Sequence, residues 1–491
     1  MLTAIWLVPV LGGLAVMALP RRFAKLLAVA VAVAALALTL VAAAGFQPGH
    51  RGFQFVERAP WIPQYHVAYF LGVDGVNLWL VALNALVGLV AVLATPLRTL
   101  AAGRFLGLLL LMEGAMAGVF LSLDLLLFYV FWEAMLIPAY FLLWLWGEGP
   151  RPVRAALKFV LFTLAGSLLM LVGVIGEYAF TSHTTFAIPD LAGQPPPPAV
   201  QFGLFALFAL AFAIKVPVFP FHSWLPDAYV AAPTPMLLLF AGVMGKTGAY
   251  ALLRIVVPLF PHPVSFWNWN AVLPVLAVIG IAWGAFLALA QTDIKAIVAY
   301  SSISHMGFIV LGVFTFNAQG QQGAVLQMVN HGIIITALFL IVAWISQRAG
   351  TRQRAGLAGL ATRMPVMAGV FLIVSLAALG LPGLNNFVGE FMTLLGAWQL
   401  SPVLAVLGCI GLVLAPVYML RLFQGMMHGG RGAAPHHGGV APQSAAAPAG
   451  TAVAAPAIDI SGGELALLAP LILLMFLLGL YPDLLMRALQ Q

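Results

Sequence analysis

Apolar runs of about twenty residues follow one another along nearly the whole chain, separated by short polar, glycine or proline breaks, and a run of that length is what a helix needs to cross a bilayer. Reading the runs between breaks gives about fourteen spans. With 63% hydrophobic and 7% charged residues among 491, the chain cannot solvate its own surface, and no polar interval is long enough for a soluble domain. The expected fold class is therefore all-α, a polytopic membrane protein of about 14 transmembrane helices. Cys409 is the one cysteine and lies in an apolar run, which excludes disulfides and cysteine-ligated zinc or iron–sulfur sites within this chain.

The net charge of +7 reads as topology, not as nucleic-acid binding. If the spans alternate from an outer N-terminus, one side holds Arg21, Arg22, Lys25, Arg98, Arg104, Arg151, Arg154, Lys158, Lys295, Arg348, Arg352, Arg354, Arg363, Arg421 and Arg431. The other side holds Arg51, Arg58, Arg254 and Arg487. That asymmetry is the positive-inside pattern and predicts both termini outside, in a bacterial cytoplasmic membrane. The run from Met1 to Pro20 lacks a basic start and precedes Arg21-Arg22, so it reads as a span and not as a cleaved signal.

Within the stretch AFAIKVPVFPFHSWLPDA, from Ala211 to Ala228, Lys215 sits in an apolar run broken by Pro217 and Pro220. A lysine at the centre of a membrane helix costs about 2.5–3.5 kcal/mol on insertion scales, so it is rare and faces protein interior or an aqueous path. Proline opens the backbone, which the bilayer tolerates only where protein covers it or a cavity adjoins it. A broken helix with a buried ionisable group is a transport element.

The other spans add titratable groups at membrane depth. The fifth carries Glu133 in FYVFWEAMLIPAYF, the eighth Lys246 in FAGVMGKTGAYALL, the tenth His305 in SSISHMGF and the eleventh His331 in MVNHGIIITALF. The twelfth is interrupted by Gly380, Pro382 and Gly383 shortly before Glu390, making a second broken helix. Glu113, in the fourth span, is either part of the path or a contact to a neighbouring subunit. His222 and Asp227, beside Pro226, are expected to cap and shape the turn. Residues 429–457, rich in alanine, glycine and proline, read as a flexible linker, and His436 and His437 within it are incidental without further ligands.

The order of intact and broken spans repeats. Three intact spans, a Pro/Gly-interrupted fourth and a fifth occur twice, with Glu133 or His305 in the second span of each set. Five spans is an odd number, so consecutive copies enter the membrane from opposite sides and form inverted repeats. The expected units are residues 1–104 with helices 1–3, 105–257 and 258–423 as the two repeats, 424–463 as the linker, and 464–491 as a last helix.

FYVFWEAMLIPAYF, KVPVFPFHSWLPDAYVAAPTP, GKTGAY, DIKAIVAYSSISHMGF and NNFVGEF together resemble the antiporter-like subunits of respiratory complex I over nearly the whole chain. The glutamate in NNFVGEF resembles the M type, where the L and N types have lysine. The resemblance implies a proton-translocating subunit without its own cofactor. NADH, FMN, iron–sulfur clusters and quinone belong to partner subunits, and the partners are the L-type and N-type subunits, the peripheral redox arm and membrane lipids. It also implies a relay of Glu133, Lys215, Lys246, His305, His331 and Glu390. Burial disfavours a lysine's charge and a nearby carboxylate favours it, so movement of Glu133 would switch Lys215. Mrp-type sodium/proton antiporters and membrane-bound hydrogenases share the motifs and remain the alternative. A dinucleotide-binding glycine turn after a strand is absent from the sequence, which argues against an independent redox enzyme.

Overall fold

The computed structural model describes residues 1–50, 52–96, 98–181, 184–261, 272–428 and 459–489. Arg51, Arg431, His436, His437 and most of the expected linker lie outside the described residues. Among those described, twelve helices are long and apolar enough to cross a membrane, and Leu2–Met17 and Pro365–Ala378 are shorter apolar helices.

In chain order the helices are α1 (Leu2–Met17), α2 (Arg21–Gly45), α3 (Gly75–Ala94), α4 (Ala102–Leu121), α5 (Leu125–Ala134), α6 (Leu136–Trp146), α7 (Pro152–Phe180), α8 (Ile188–Ala192), α9 (Pro198–Lys215) and α10 (Trp224–Ala231). There follow α11 (Thr234–Leu259), α12 (Val272–Ala290), α13 (Ile294–Val313), α14 (Ala318–Ala349), α15 (Pro365–Ala378), α16 (Asn385–Leu400), α17 (Pro402–Met427), α18 (Gly462–Leu480) and α19 (Asp483–Leu489). Many begin where a short polar side chain satisfies the free N–H groups of a first turn. Asp74 and Asn77 form a capping box on α3, Ser461 and Glu464 form one on α18, and Asp124, Asp293 and Asn317 cap α5, α13 and α14.

The all-helical expectation needs one amendment. The loop between the second and third spans forms an antiparallel hairpin, β1 (Gln54–Ile62) with β2 (Val67–Val73). The aromatic and β-branched residues of this stretch, among them Phe55, Val56, Trp61, Ile62, Val67 and Tyr69, suit a pleated surface. The hairpin rests on the start of α5, where Asp124 accepts from the Ala68 N–H at 3.0 Å and Leu123 N–H donates to Phe70 O at 2.8 Å. Glu57 of β1 accepts from the backbone N–H groups of Leu2 and Thr3 and so caps α1.

The expected fifth and fourteenth spans also differ. The fifth is not intact: it splits at Met135 into α5 and α6, because Pro138 has no N–H for the Ala134 carbonyl. The fourteenth stops at Leu480, where Pro482 turns the chain into the separate α19. The helix containing Lys246 has π-helical segments at Phe240–Met244 and Leu252–Val256, on either side of Gly245–Ala251.

The two ends of the bundle are chemically distinct. At one, Lys25 donates to Thr95 O, Arg21 to Thr99 O and Trp146 to Leu100 O, gathering the basic loops. The other holds the hairpin, α8 and the Arg254–Asp74 pair. The centre is α11, α13 and α14, whose surfaces are almost entirely covered by other helices, whereas α2, α7, α17 and α18 turn large faces outward. An apolar helix covered all round belongs in the interior of a large bundle, so polar side chains on these three are removed from lipid.

Candidate functional site

α9 ends at Lys215 because the next positions cannot continue it. Pro217 has no N–H, and the carbonyl of Ala213 is taken instead by the Val218 N–H at 2.8 Å. The Trp224 indole N–H, from the start of α10, satisfies the Ile214 carbonyl at 2.9 Å. The break expected around Pro217 and Pro220 is thus present, running from Val216 to Ser223.

At the break Lys215 is 1% exposed, with Nζ 5.4 Å from the ring centroid of Trp132 and 5.7 Å from that of Phe159. Aromatic faces attract a desolvated ammonium without accepting its proton, and Nζ has no hydrogen-bond partner among the described residues. Glu133, next to Trp132, is partly exposed at the split between α5 and α6, with Oε1 buried and unpartnered. The two charges do not meet within the 4.0 Å of an ion pair.

Lys246 is fully buried on α11 and donates to the Ala241 carbonyl at 2.6 Å, inside the π-helical segment of its own helix. Gly248 lets this helix reach the break: a Cβ there would lie 2.8 Å from Val216 Cγ2 and 3.2 Å from Lys215 Cβ. Further along, Gly242 lies against Gly332 and Thr336 of α14, next to His331.

The other half of the molecule holds a bonded cluster. Gly380 and Gly383, at φ +79° and +95°, adopt left-handed conformations that end α15 and reverse the chain into α16. Just past this break Glu390 is 1% exposed and its Oε1 lies 2.8 Å from His305 Nδ1. Asn386 donates to the same oxygen at 2.9 Å and Gln327 at 3.3 Å, while Oε2 has no partner. His305 Nε2 lies 3.3 Å from the Tyr418 hydroxyl, and its ring is 5.4 Å from that of His331, both of whose nitrogens are unpartnered. Asn385 and Asn330 bond each other beneath, with Asn330 Nδ2 2.7 Å from Asn385 O.

The structure therefore brings His305, His331 and Glu390 together, sets Lys215 and Lys246 on adjoining helix segments, and leaves Glu133 apart from Lys215. Glu113 is 1% exposed with both oxygens unpartnered, against Gly88 of α3. Asp227 makes no side-chain cap on α10; its exposed carboxylate pairs with Lys158 of α7 at 2.7 Å, because the same ammonium is held beside this first turn by the Ser223 carbonyl at 2.6 Å. His222 pairs with Trp283 at 3.2 Å and stacks on Phe219. Sequence reasoning missed Tyr418, Trp132 and Gln327. Gln327 was open to detection, since it precedes His331 by four residues and shares its helix face.

Comparison with known proteins gives the family of the chain. Residues 122–415 match the family described as NADH:quinone oxidoreductase/Mrp antiporter, TM, a stretch that contains all six expected site residues. The chain is 38% identical to NADH-quinone oxidoreductase subunit M of Mycobacterium tuberculosis, covering 98% of this chain and 91% of that protein. It superposes on a chain of respiratory complex I from Thermus thermophilus with TM-score 0.88 and 35% identity, covering 100% and 97% of the two chains. Against a chain of the Mrp complex from Dietzia the TM-score is 0.84 at 25% identity, covering 100% and 96%. The chain belongs to the proton-translocating membrane subunits of the NADH:quinone oxidoreductase/Mrp antiporter family, on the subunit M branch.

Proposed function

We propose that this chain carries protons through two linked half-relays, Glu133–Lys215–Lys246 and His331–His305–Glu390, while quinone reduction in other subunits of the same complex supplies the energy. The observation that carries this reading is Lys215: a fully buried ammonium at a helix break, without a hydrogen-bond acceptor among the described residues. A static ion pair would have no use for such separation from Glu133, whereas a switch requires it. Bringing two unit charges to 4 Å at an effective dielectric of 20 is worth about 4 kcal/mol, against about 2.3 kcal/mol to move one charge through 100 mV. One approach of Glu133 to Lys215 is therefore enough to drive one proton step. Water bridges carry the proton between the groups that are not in direct contact.

In this reading the second half receives the proton at His331, passes it to His305 and delivers it to Glu390, whose free Oε2 faces the second break. With the two shorter apolar helices counted as crossings, twelve and two make the expected fourteen. The two breaks, one beside a lysine and one beside a glutamate, are the corresponding elements of inverted repeats at 105–257 and 258–423. The basic end is then cytoplasmic, and L-type and N-type subunits flank the chain, with NADH, FMN, iron–sulfur clusters and quinone held elsewhere in the assembly. The match to complex I at higher identity than to the Mrp complex favours this assembly over an exchanger of sodium for protons.

The test is proton transport by the whole complex in proteoliposomes, with NADH as donor. Glu133→Gln and Lys215→Ala are each expected to abolish most coupled transport while the complex stays assembled. Parental transport in either variant removes that residue from the path.

A further inference from the structure

α10 is an eight-residue helix held at both ends by side chains from other parts of the bundle. At its start, Lys158 of α7 donates to Ser223 O at 2.6 Å and pairs with Asp227. At its end three successive carbonyls are taken by three different donors. Arg352 Nη1 reaches Val230 O at 3.3 Å, the Glu148 backbone N–H reaches Ala231 O at 2.6 Å, and Lys295 Nζ reaches Ala232 O at 2.6 Å.

The side chains of this cluster also bond one another. The Glu148 carboxylate lies 3.3 Å from Lys295 and 3.9 Å from Arg352, and Arg352 lies 3.3 Å from Asp293. Asp293 caps α13 through the N–H groups of Lys295 and Ala296, and the strand-like pairing of Ile294 N–H with Arg352 O adds a backbone link. Lys295 is nearly covered, whereas the side chain of Glu148 is 49% exposed.

Helix C-termini present unsatisfied carbonyls and partial negative charge, and cations placed there fix the helix end. The groups of this cluster come from elements whose other residues matter. Glu148 follows α6, the continuation of the Glu133 helix; α10 continues the Lys215 helix past its break; Lys295 opens α13, which carries His305. We infer that Lys295, together with Glu148 and Arg352, is a positioning residue of the relay: it locks the end of α10 to the Glu133 and His305 helices, so that displacement at one half-relay is transmitted to the other. This rests on the relay reading above.

Proton transport per NADH oxidised is measured in proteoliposomes holding the complex with the parent chain, Lys295→Met, Lys295→Arg, Glu148→Gln or Lys215→Ala. Methionine keeps length and removes the cation; arginine restores it. Lys295→Met is expected to lower the ratio at least about twofold, because small misplacements of reacting groups cost rate steeply, and Lys295→Arg to regain most of it. Amide exchange over residues 224–232 is expected to quicken in Lys295→Met and slow again in Lys295→Arg. A parental ratio in Lys295→Met, or an equal loss in the methionine and arginine variants, overturns the inference. Should Lys295→Met fail to assemble, Glu148→Gln decides: the Glu148 side chain is half-exposed, the amide oxygen can still accept from Lys295, and Lys295 keeps the Ala232 carbonyl, so a lowered ratio supports the inference and a parental ratio overturns it. If Lys215→Ala transports like the parent, the relay reading itself falls, an outcome distinct from failure of the clamp alone.

Discussion

Glu390 has more bonded neighbours than the other expected relay groups, and that makes it the sharpest single-residue test. Its Oε1 accepts from Asn386 and Gln327 and faces His305, while Oε2 stays free. An amide in its place keeps the volume but cannot exchange a proton, so Glu390→Gln is expected to lower proton transport strongly. Glu390→Lys is expected to retain part, since a buried lysine also titrates. His331→Ala should cost less than either Glu390→Gln or Lys215→Ala, because its nitrogens have no partner to lose among the described residues and water can take the place of a neutral imidazole. All three are read in the same proteoliposome assay, and equal losses in His331→Ala and Glu390→Gln would contradict the order proposed.

Between residues and bundle stand the helix ends, where single side chains hold distant segments. Asp459, just before α18, accepts from Val366 N–H at 2.8 Å and Met367 N–H at 2.9 Å, so it caps α15, the first half of the second broken helix. Burial works to raise its carboxyl, but the bonds from Met367, Val366 and Ile460, with Arg348 nearby, outweigh it and hold the value below the ordinary 3.8. A carboxyl held low in the folded state stabilises fully above its unfolded value and loses that contribution as pH falls through the lowered folded value. Asp459→Asn is therefore expected to lower stability by about 0.5–1 kcal/mol at neutral pH, with the difference from the parent shrinking below pH 3.8. Thermal unfolding of the purified complex at the two pH values checks it. The breaks themselves differ in how readily they could be read. Those at Pro217 and Gly380 were legible because two or more breakers cluster, whereas the split at Met135 rests on Pro138 alone, and a lone proline is common in intact membrane helices.

For the whole molecule, the grouping of basic loops at one end sets a topology that can be measured. In a Cys409→Ser background, Gln194→Cys is expected to react with an impermeant thiol reagent in intact cells and Thr362→Cys only after the membrane is opened. Both positions are exposed, at the hairpin end and the basic end respectively. The reverse pattern would invert the assignment, and labelling of both from outside would refute the span count. The same segregation places the clamp around α10 among the basic loops and the Arg254–Asp74 pair among the hairpin contacts, so each end of the bundle has its own ionic fastening.

The chain by itself determined where the long apolar helices run, where the Lys215 and Glu390 helices break and which of those helices carry ionisable groups, because insertion and helix breaking depend on local apolar length and on proline and glycine within a few residues. It did not determine which of those groups touch. Lys158 meets Asp227 across 69 residues, His305 meets Glu390 across 85 and Tyr418 across 113, and Lys295 meets Glu148 across 147. Such contacts depend on the rotation and crossing of helices whose packing in a membrane is chosen by close fit over whole faces, which no single stretch encodes. The hairpin escaped for a related reason: its strands are satisfied by each other and by the start of α5, a partner that only the folded bundle brings alongside.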